Sequence, residues 1–217
     1  MDLQALRLSL LLASLTALSL LVLGLPLSHW LASARFKGKA VVEAVLSLPL
    51  VLPPTVLGFY LLVAMGSKSP LGRAWIALTG HPLAFSFAGL LVASIVYGLP
   101  FAVQPFTAAL SQVDPRLTEA AYTLGASPFR AFFRVSLPLA APGIVAGTVL
   151  TFAHALGEFG VVLMVGGNIA GETRTLSIAI FDSVEQLDYA AANATALFLL
   201  GISFAVLVTV SLLRRKA

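Results

Sequence analysis

The chain has 217 residues, of which 59% are hydrophobic and only 10% charged, with no cysteine and a formal net charge of +4. Ordinary soluble domains carry about 25% charged and about 45–50% apolar residues, so a soluble enzyme, a disordered chain and a disulfide-stapled secreted domain are excluded. What remains is a protein whose solvent is largely lipid, where a cationic excess marks the cytoplasmic side rather than a nucleic-acid partner.

Five charge-free stretches, 8–34, 44–67, 74–113, 135–157 and 189–213, are long enough to cross a bilayer, since a spanning helix needs about 20 apolar residues. The expected fold class is all-α: a polytopic membrane protein with about five transmembrane helices, residues 1–217 forming a single transmembrane domain. The first stretch lacks the combination of a basic leader with a small-residue cleavage site. It also exceeds the apolar run of about 7–15 residues found in a signal peptide, so it reads as a structural helix. The second holds Pro49, Pro53 and Pro54, which predict a bent helix near a pathway. The third is too long for one span; Gly80, His81 and Pro82 near its start leave a span over 83–106. The run 159–171 is too short to cross and contains Gly166-Gly167-Asn168, which predicts a loop or re-entrant piece. Ser47-Leu48-Pro49-Leu50 with Pro53 matches Ser136-Leu137-Pro138-Leu139 with Pro142. That similarity reads either as a parallel repeat or as coincidence.

Five spans put the termini on opposite sides. One set of connections carries Arg35, Lys37, Lys39, Arg116, Arg130, Arg134, Arg214, Arg215 and Lys216; the other carries Arg7, Lys68, Arg73 and Arg174. The richer side is expected to be cytoplasmic, with the N-terminus outside and the C-terminus inside.

The cytoplasmic segment 112–138 is the least lipid-like part of the chain. Asp114 before Pro115 predicts a helix start, and Ser127-Pro128 repeats the signal. Gly125 between them suits a left-handed C-cap. Two short helices with a tight elbow are therefore expected, exposing Arg116, Glu119, Arg130 and Arg134 among Phe129, Phe132 and Phe133. Aromatic and Arg residues are common interface anchors, and the small pair Ala120-Ala121 would allow close approach. On these grounds the segment is either a docking surface or an amphipathic pair lying on the membrane.

The spacing Glu119-Ala120-Ala121, three residues, Gly125, nine residues, Val135, one residue, Leu137-Pro138 resembles the EAA loop of ABC importer permeases, with Val135 where isoleucine is more usual. Leu48-Pro49-Leu50-Val51-Leu52-Pro53-Pro54, Leu156-Gly157-Glu158-Phe159-Gly160, Gly167-Asn168-Ile169 and Gly171-Glu172-Thr173-Arg174-Thr175 resemble the molybdate permeases of that class. Sulfate/thiosulfate permeases share the pieces around Glu158 and Asn168. The resemblance covers about 45–217 and implies a type I ABC importer permease fold. It implies that Glu119, Ala120, Ala121, Gly125, Arg130, Leu137 and Pro138 couple to an ATPase subunit. It also implies the partners: a second copy of the chain, two ATP-binding cassette subunits and an extracytoplasmic oxyanion-binding protein.

No nucleotide site is expected here. The only Gly-Lys pair is Gly38-Lys39, with Ser33 and Ala40 where a phosphate-binding loop needs Gly and Ser or Thr. His29, His81 and His154 are scattered, so no metal, cofactor or catalytic cluster is expected, and ATP belongs to the partner. The candidate pathway or gate residues are Pro53, Pro54, Thr151, Glu158 and Asn193. His154 and Glu158 stand i, i+4, on one face of a continuous helix. An intramembrane charge faces the bundle interior or water, so Glu158 reads as a gate residue, a helix–helix hydrogen bond or an outer-interface group. Its charge would repel an oxyanion. Thr151, Asn193 and Thr195 read as interhelical hydrogen bonds or ligand contacts, and Lys39–Glu43 as a solvated ion pair. Residues 172–188 read as a short amphipathic helix with Leu176, Ile180, Val184 and Leu187 on one face. A secondary transporter working without ATP would need an ion relay or inverted repeats, and an intramembrane enzyme would need a nucleophile–base or metal motif.

Overall fold

The computed structural model describes residues 2–34 and 36–216, with side chains through Thr209. Arg35 therefore lies outside the described residues, as do the side chains of Arg214, Arg215 and Lys216. All regular structure among the described residues is helical.

The centre is a three-helix core. Helix α1 (Leu3–Ser33) starts where the Asp2 carboxylate accepts the N–H groups of Gln4 and Ala5, both at 3.0 Å. It packs against α5 (Phe87–Ser111) and α8 (Leu137–Gly157). In lipid, helices associate through close packing of small residues rather than through hydrophobic exclusion, and the contacts here follow that rule. Ala5, Ser9, Ala13, Thr16, Ala17, Gly24 and Ser28 form the buried face of α1 with Leu8, Leu12, Leu20 and Leu31. A β-carbon on Gly147 of α8 would sit 2.8 Å from Pro105 and 2.9 Å from Phe106 of α5. Leu20, Ala102, Phe106, Leu110, Ala140 and Ile144 fill the interior.

The second expected span is not one helix. Helices α2 (Lys39–Val51) and α3 (Pro54–Met65) meet at 109°. Pro53 pushes the residue before it out of the helical region, and Leu52 is extended with ψ 137°. Pro54 then opens α3 at its first position, where a missing N–H costs nothing. Four helices are long and apolar enough to span singly, or five spans if the bent pair counts as one. The count of about five thus holds only with this broken segment included.

The 40-residue stretch divides as its Gly-His-Pro signal predicts. Helix α4 (Pro70–Thr79) is capped by Ser69, whose Oγ accepts from Gly72 N at 2.8 Å, and stops at left-handed Gly80. Helix α5 follows and runs five residues past the expected 106.

At the end of the bundle reached by α5, helix α6 (Pro115–Thr123) leads to α7 (Pro128–Ala131). The second short helix is not separate from the fourth span. A π-turn over Phe132–Ser136 carries α7 directly into α8, so Pro138 lies inside the first turn of α8, where proline is tolerated.

Beyond α8 the chain breaks at Glu158-Phe159 and forms α9 (Gly160–Gly166), whose Val161, Val162 and Val165 are buried against α3 and α5. Gly58 of α3 permits this contact, since a β-carbon there would meet Met164 at 2.7 Å. The short apolar run is thus a buried helical piece rather than a bare loop. Helix α10 (Leu176–Glu185) and α11 (Tyr189–Lys216) complete the chain. The expected stripe on α10 is buried only at its start, Leu176, and partly at Ile180. Thr175 caps the helix so that Leu176 and Ile178 point inward, while Val184 and Leu187 are 41% and 71% exposed.

Candidate functional site

The α6–α7 elbow forms as its residues dictate. Asp114 accepts the Arg116 N–H at 2.9 Å, and Ser127 accepts the Arg130 N–H at 3.3 Å. Gly125 has φ +82°, a conformation that costs any L side chain but not glycine. Every residue of α6 is at least partly exposed. Glu119 and Ala120 are exposed and Ala121 is half-buried. Around them stand Leu117, Tyr122, Leu124, Phe129 and Phe133, with Leu124 at 88% and Phe129 at 73% exposure. Arg130 and Pro138 are exposed, and Leu137 packs into the core beside Phe132. The implied coupling residues therefore share one end of the bundle, on a structured surface with unpartnered apolar side chains.

The pathway candidates do not share one space. Pro53 and Pro54 are exposed at the α2–α3 break, and Pro54 backs onto Gly160 of α9. Thr151 is fully buried, and its hydroxyl donates to Gly147 O at 2.8 Å within its own helix. Thr195 likewise donates to Ala191 O at 3.0 Å, so neither makes the interhelical bond expected of it. Asn193 lies exposed on α11.

Glu158 is 5% exposed, and neither carboxyl oxygen has a hydrogen-bond partner among the described residues. The Ser94 hydroxyl of α5, near it, is likewise buried without a hydrogen-bond partner among the described residues. His154 does not share a helix face with it. Helix α8 ends at Gly157 and Glu158 is extended with ψ 136°, while the His154 ring stacks on Phe101 at 3.6 Å.

The following segment is tied internally. Thr173 Oγ1 donates to Gly166 O at 2.8 Å and accepts from Ile169 N at 3.0 Å. Arg174 holds Asn168 at 2.6 Å and Asp182 at 3.7 Å. Ser177 donates to the Glu158 carbonyl. Lys39 and Glu43 pair at 3.8 Å, half exposed, as the spacing predicts.

A cavity of about 370 Å³ opens between α2 and α5, lined by Glu43, Ser47, Gln104 and Thr107 with Leu31 and Val103 among its apolar walls. Gln104 Nε2 donates to Ser47 Oγ at 3.1 Å. Sequence reasoning passed over Gln104 and Thr107 and gave Glu43 and Ser47 no part in a cavity. The available signal was an amide in the middle of a charge-free stretch, but its partner is 57 positions away.

A fold of this shape, with a capped surface loop between spans, is that of ABC importer permeases. The chain superposes on a subunit of a bacterial ABC transporter involved in alginate import with a TM-score of 0.79, covering 99% of this chain and 79% of that one at 18% identity. On a chain of the MetNI methionine ABC transporter in an inward-facing form the TM-score is 0.76, covering 99% and 95%, also at 18% identity. Residues 24–217 match the family of binding-protein-dependent transport system inner membrane components, and the chain belongs to that family. Among its relatives is the molybdenum transport system permease protein ModB of Azotobacter vinelandii, 52% identical over 206 residues, covering 95% of this chain and 91% of that protein. The Escherichia coli K12 protein of the same name is 44% identical over 182 residues, covering 84% and 80%. The sulfate transport system permease protein CysT of E. coli K12 is 34% identical over 195 residues, covering 90% and 70%. The chain is accordingly a multi-pass membrane protein of a transport system.

Proposed function

We propose that this chain is the membrane-spanning subunit of an ATP-driven importer that carries molybdate into the cytoplasm. Residues 1–217 act as one permease domain. Two copies pair, each seating its 112–138 loop on an ATP-binding cassette subunit, and an extracytoplasmic oxyanion-binding protein delivers substrate at the opposite end. The N-terminus lies outside and the C-terminus inside. Nucleotide binding and hydrolysis belong to the partner subunits, the chain itself carries no cofactor, and the lipid bilayer rather than nucleic acid surrounds it.

The observation that carries this reading is the α6 surface. Glu119, Ala120 and the left-handed Gly125 stand exposed beside Phe129 and Phe133, and a partner groove would cover that apolar area. The substrate follows from the relatives: identity to the molybdenum permease proteins exceeds identity to the sulfate permease protein. Tungstate, of nearly the same size and charge, is expected to share the route.

The test is radiolabelled molybdate uptake in a strain lacking its own permease gene and complemented with this one. Uptake should depend on ATP and be displaced by tungstate but not by tenfold excess sulfate. Displacement by sulfate at equal concentration would move the assignment to a sulfate importer. Uptake that persists without the ATPase subunit would make the chain a secondary transporter.

A further inference from the structure

The cavity between α2 and α5 carries an inference that rests on the function proposed above and locates a step within it. The cavity lies at the bundle end shared by the last turns of α1 and α5, the first turns of α2 and the α6–α7 loop. Its polar groups are neutral donors. Gln104 Nε2 spends one N–H on Ser47 Oγ and keeps a second, and Ser47 keeps its own hydroxyl proton. Thr107 also lines the cavity, and its buried Oγ1 has no partner among the described residues. A buried donor left unmade costs about 1–3 kcal/mol, so Thr107 gains by receiving an acceptor, which the exposed Gln104 and half-buried Ser47 donors can hold with it. The one carboxylate at the rim, Glu43, is paired with Lys39 at 3.8 Å, and no cation points into the space from the lining residues. At about 370 Å³ the cavity exceeds a four-oxygen anion and leaves room for some of its water.

We propose that Ser47, Gln104 and Thr107 form a transient station for a tetrahedral divalent oxyanion on the inner half of the pathway. Neutral hydrogen-bond donors suit such a station, because conduction needs binding strong enough to admit the ion and weak enough to release it. A Lys or Arg in the same place would hold the anion, and the rim carboxylate, paired with Lys39, leaves the entrance without net charge. The station sits one to two helical turns from the end of α5, so movement of the α6–α7 loop reaches it through α5 itself.

The experiment uses the complete transporter, with its ATPase subunits and binding protein, in proteoliposomes. Gln104→Glu, Gln104→Arg, Ser47→Ala and Thr107→Val are compared with the parent, after co-purification shows that each complex assembles. Molybdate, tungstate and sulfate are each used as probe, for uptake and for equilibrium binding to the complex without binding protein. Gln104→Glu should lower both uptake and binding at least tenfold. Gln104→Arg should lower uptake at least tenfold while raising binding by at least as much. Ser47→Ala and Thr107→Val should each lower uptake threefold or more. The opposite movement of uptake and binding in Gln104→Arg is the signature that a merely structural role would not give. Uptake within twofold of the parent in both Gln104 variants, or equal loss of uptake and binding in both, overturns the station. A parent complex that carries sulfate and not molybdate overturns the substrate assignment instead, and the station is then judged on the sulfate data.

Discussion

The two ends of the bundle carry motifs of similar density and use them in opposite ways. In the α6–α7 elbow the motif residues are exposed, and their backbone is closed by local caps at Asp114 and Ser127. In the 158–178 segment the motif residues are buried or tied to one another: Glu158 against α5, Thr173 to Gly166 and Ile169, Arg174 to Asn168 and Asp182. Both stretches support the same family resemblance, yet the first leaves most of its side chains free for another molecule and the second chiefly Ile169 and Glu172. A motif marks a position in a family; its burial and its bonds tell whether it faces a partner or holds the fold.

Substitutions separate these two uses, and the largest effect on transport is expected at the exposed end. Gly125→Asp places a side chain on a φ +82° backbone, at about 1–2 kcal/mol of local strain, and Glu119→Lys reverses a charge on the docking face. Both proteins should reach the membrane in normal amount while ATPase co-purification and uptake fall more than tenfold. Normal uptake in either variant breaks the comparison. Thr173→Val removes a buried hydroxyl that both donates and accepts. Each lost bond that leaves a buried partner unmade costs about 1–3 kcal/mol, so the detergent-solubilised protein should melt several degrees lower while still retaining the ATPase. Loss of ATPase association at unchanged melting temperature would show that this end, too, reports to the partner. Arg174→Ala should do least, because a partly exposed ion pair contributes about 0–1 kcal/mol, and its melting temperature should move by a degree or two at most.

Much of this architecture was legible from residue types alone. The α6–α7 elbow was readable because Asp-Pro, Ser-Pro and Gly each impose their own backbone at one position. The spans of α1 and α11 were readable because charge is absent over long runs. The Pro53-Pro54 pair announced a bend, but not that Leu52 would turn extended and set α2 and α3 at 109°. The pairing of His154 with Glu158 failed because it assumed a helix running past Gly157, and nothing in a charge-free run marks its final residue. The α10 stripe holds at Leu176 and in part at Ile180 but fails at its far end, because the helix stops at Glu185 and leaves Leu187 beyond it. The Ser47–Gln104–Thr107 cavity joins two helices far apart in sequence, so periodicity within either helix could not disclose it.

The absence of cysteine from the chain makes a direct test of partner docking possible. Ala120→Cys on α6 and Ser183→Cys on α10 each introduce a single thiol, one at either end of the bundle. With a short thiol-to-amine cross-linker in the intact complex, Ala120→Cys should cross-link to the ATP-binding cassette subunit and Ser183→Cys should not. Labelling of Ala120→Cys by a membrane-impermeant reagent added outside intact cells, with no cross-link to the ATPase, would contradict both the docking role of the loop and the orientation of the chain.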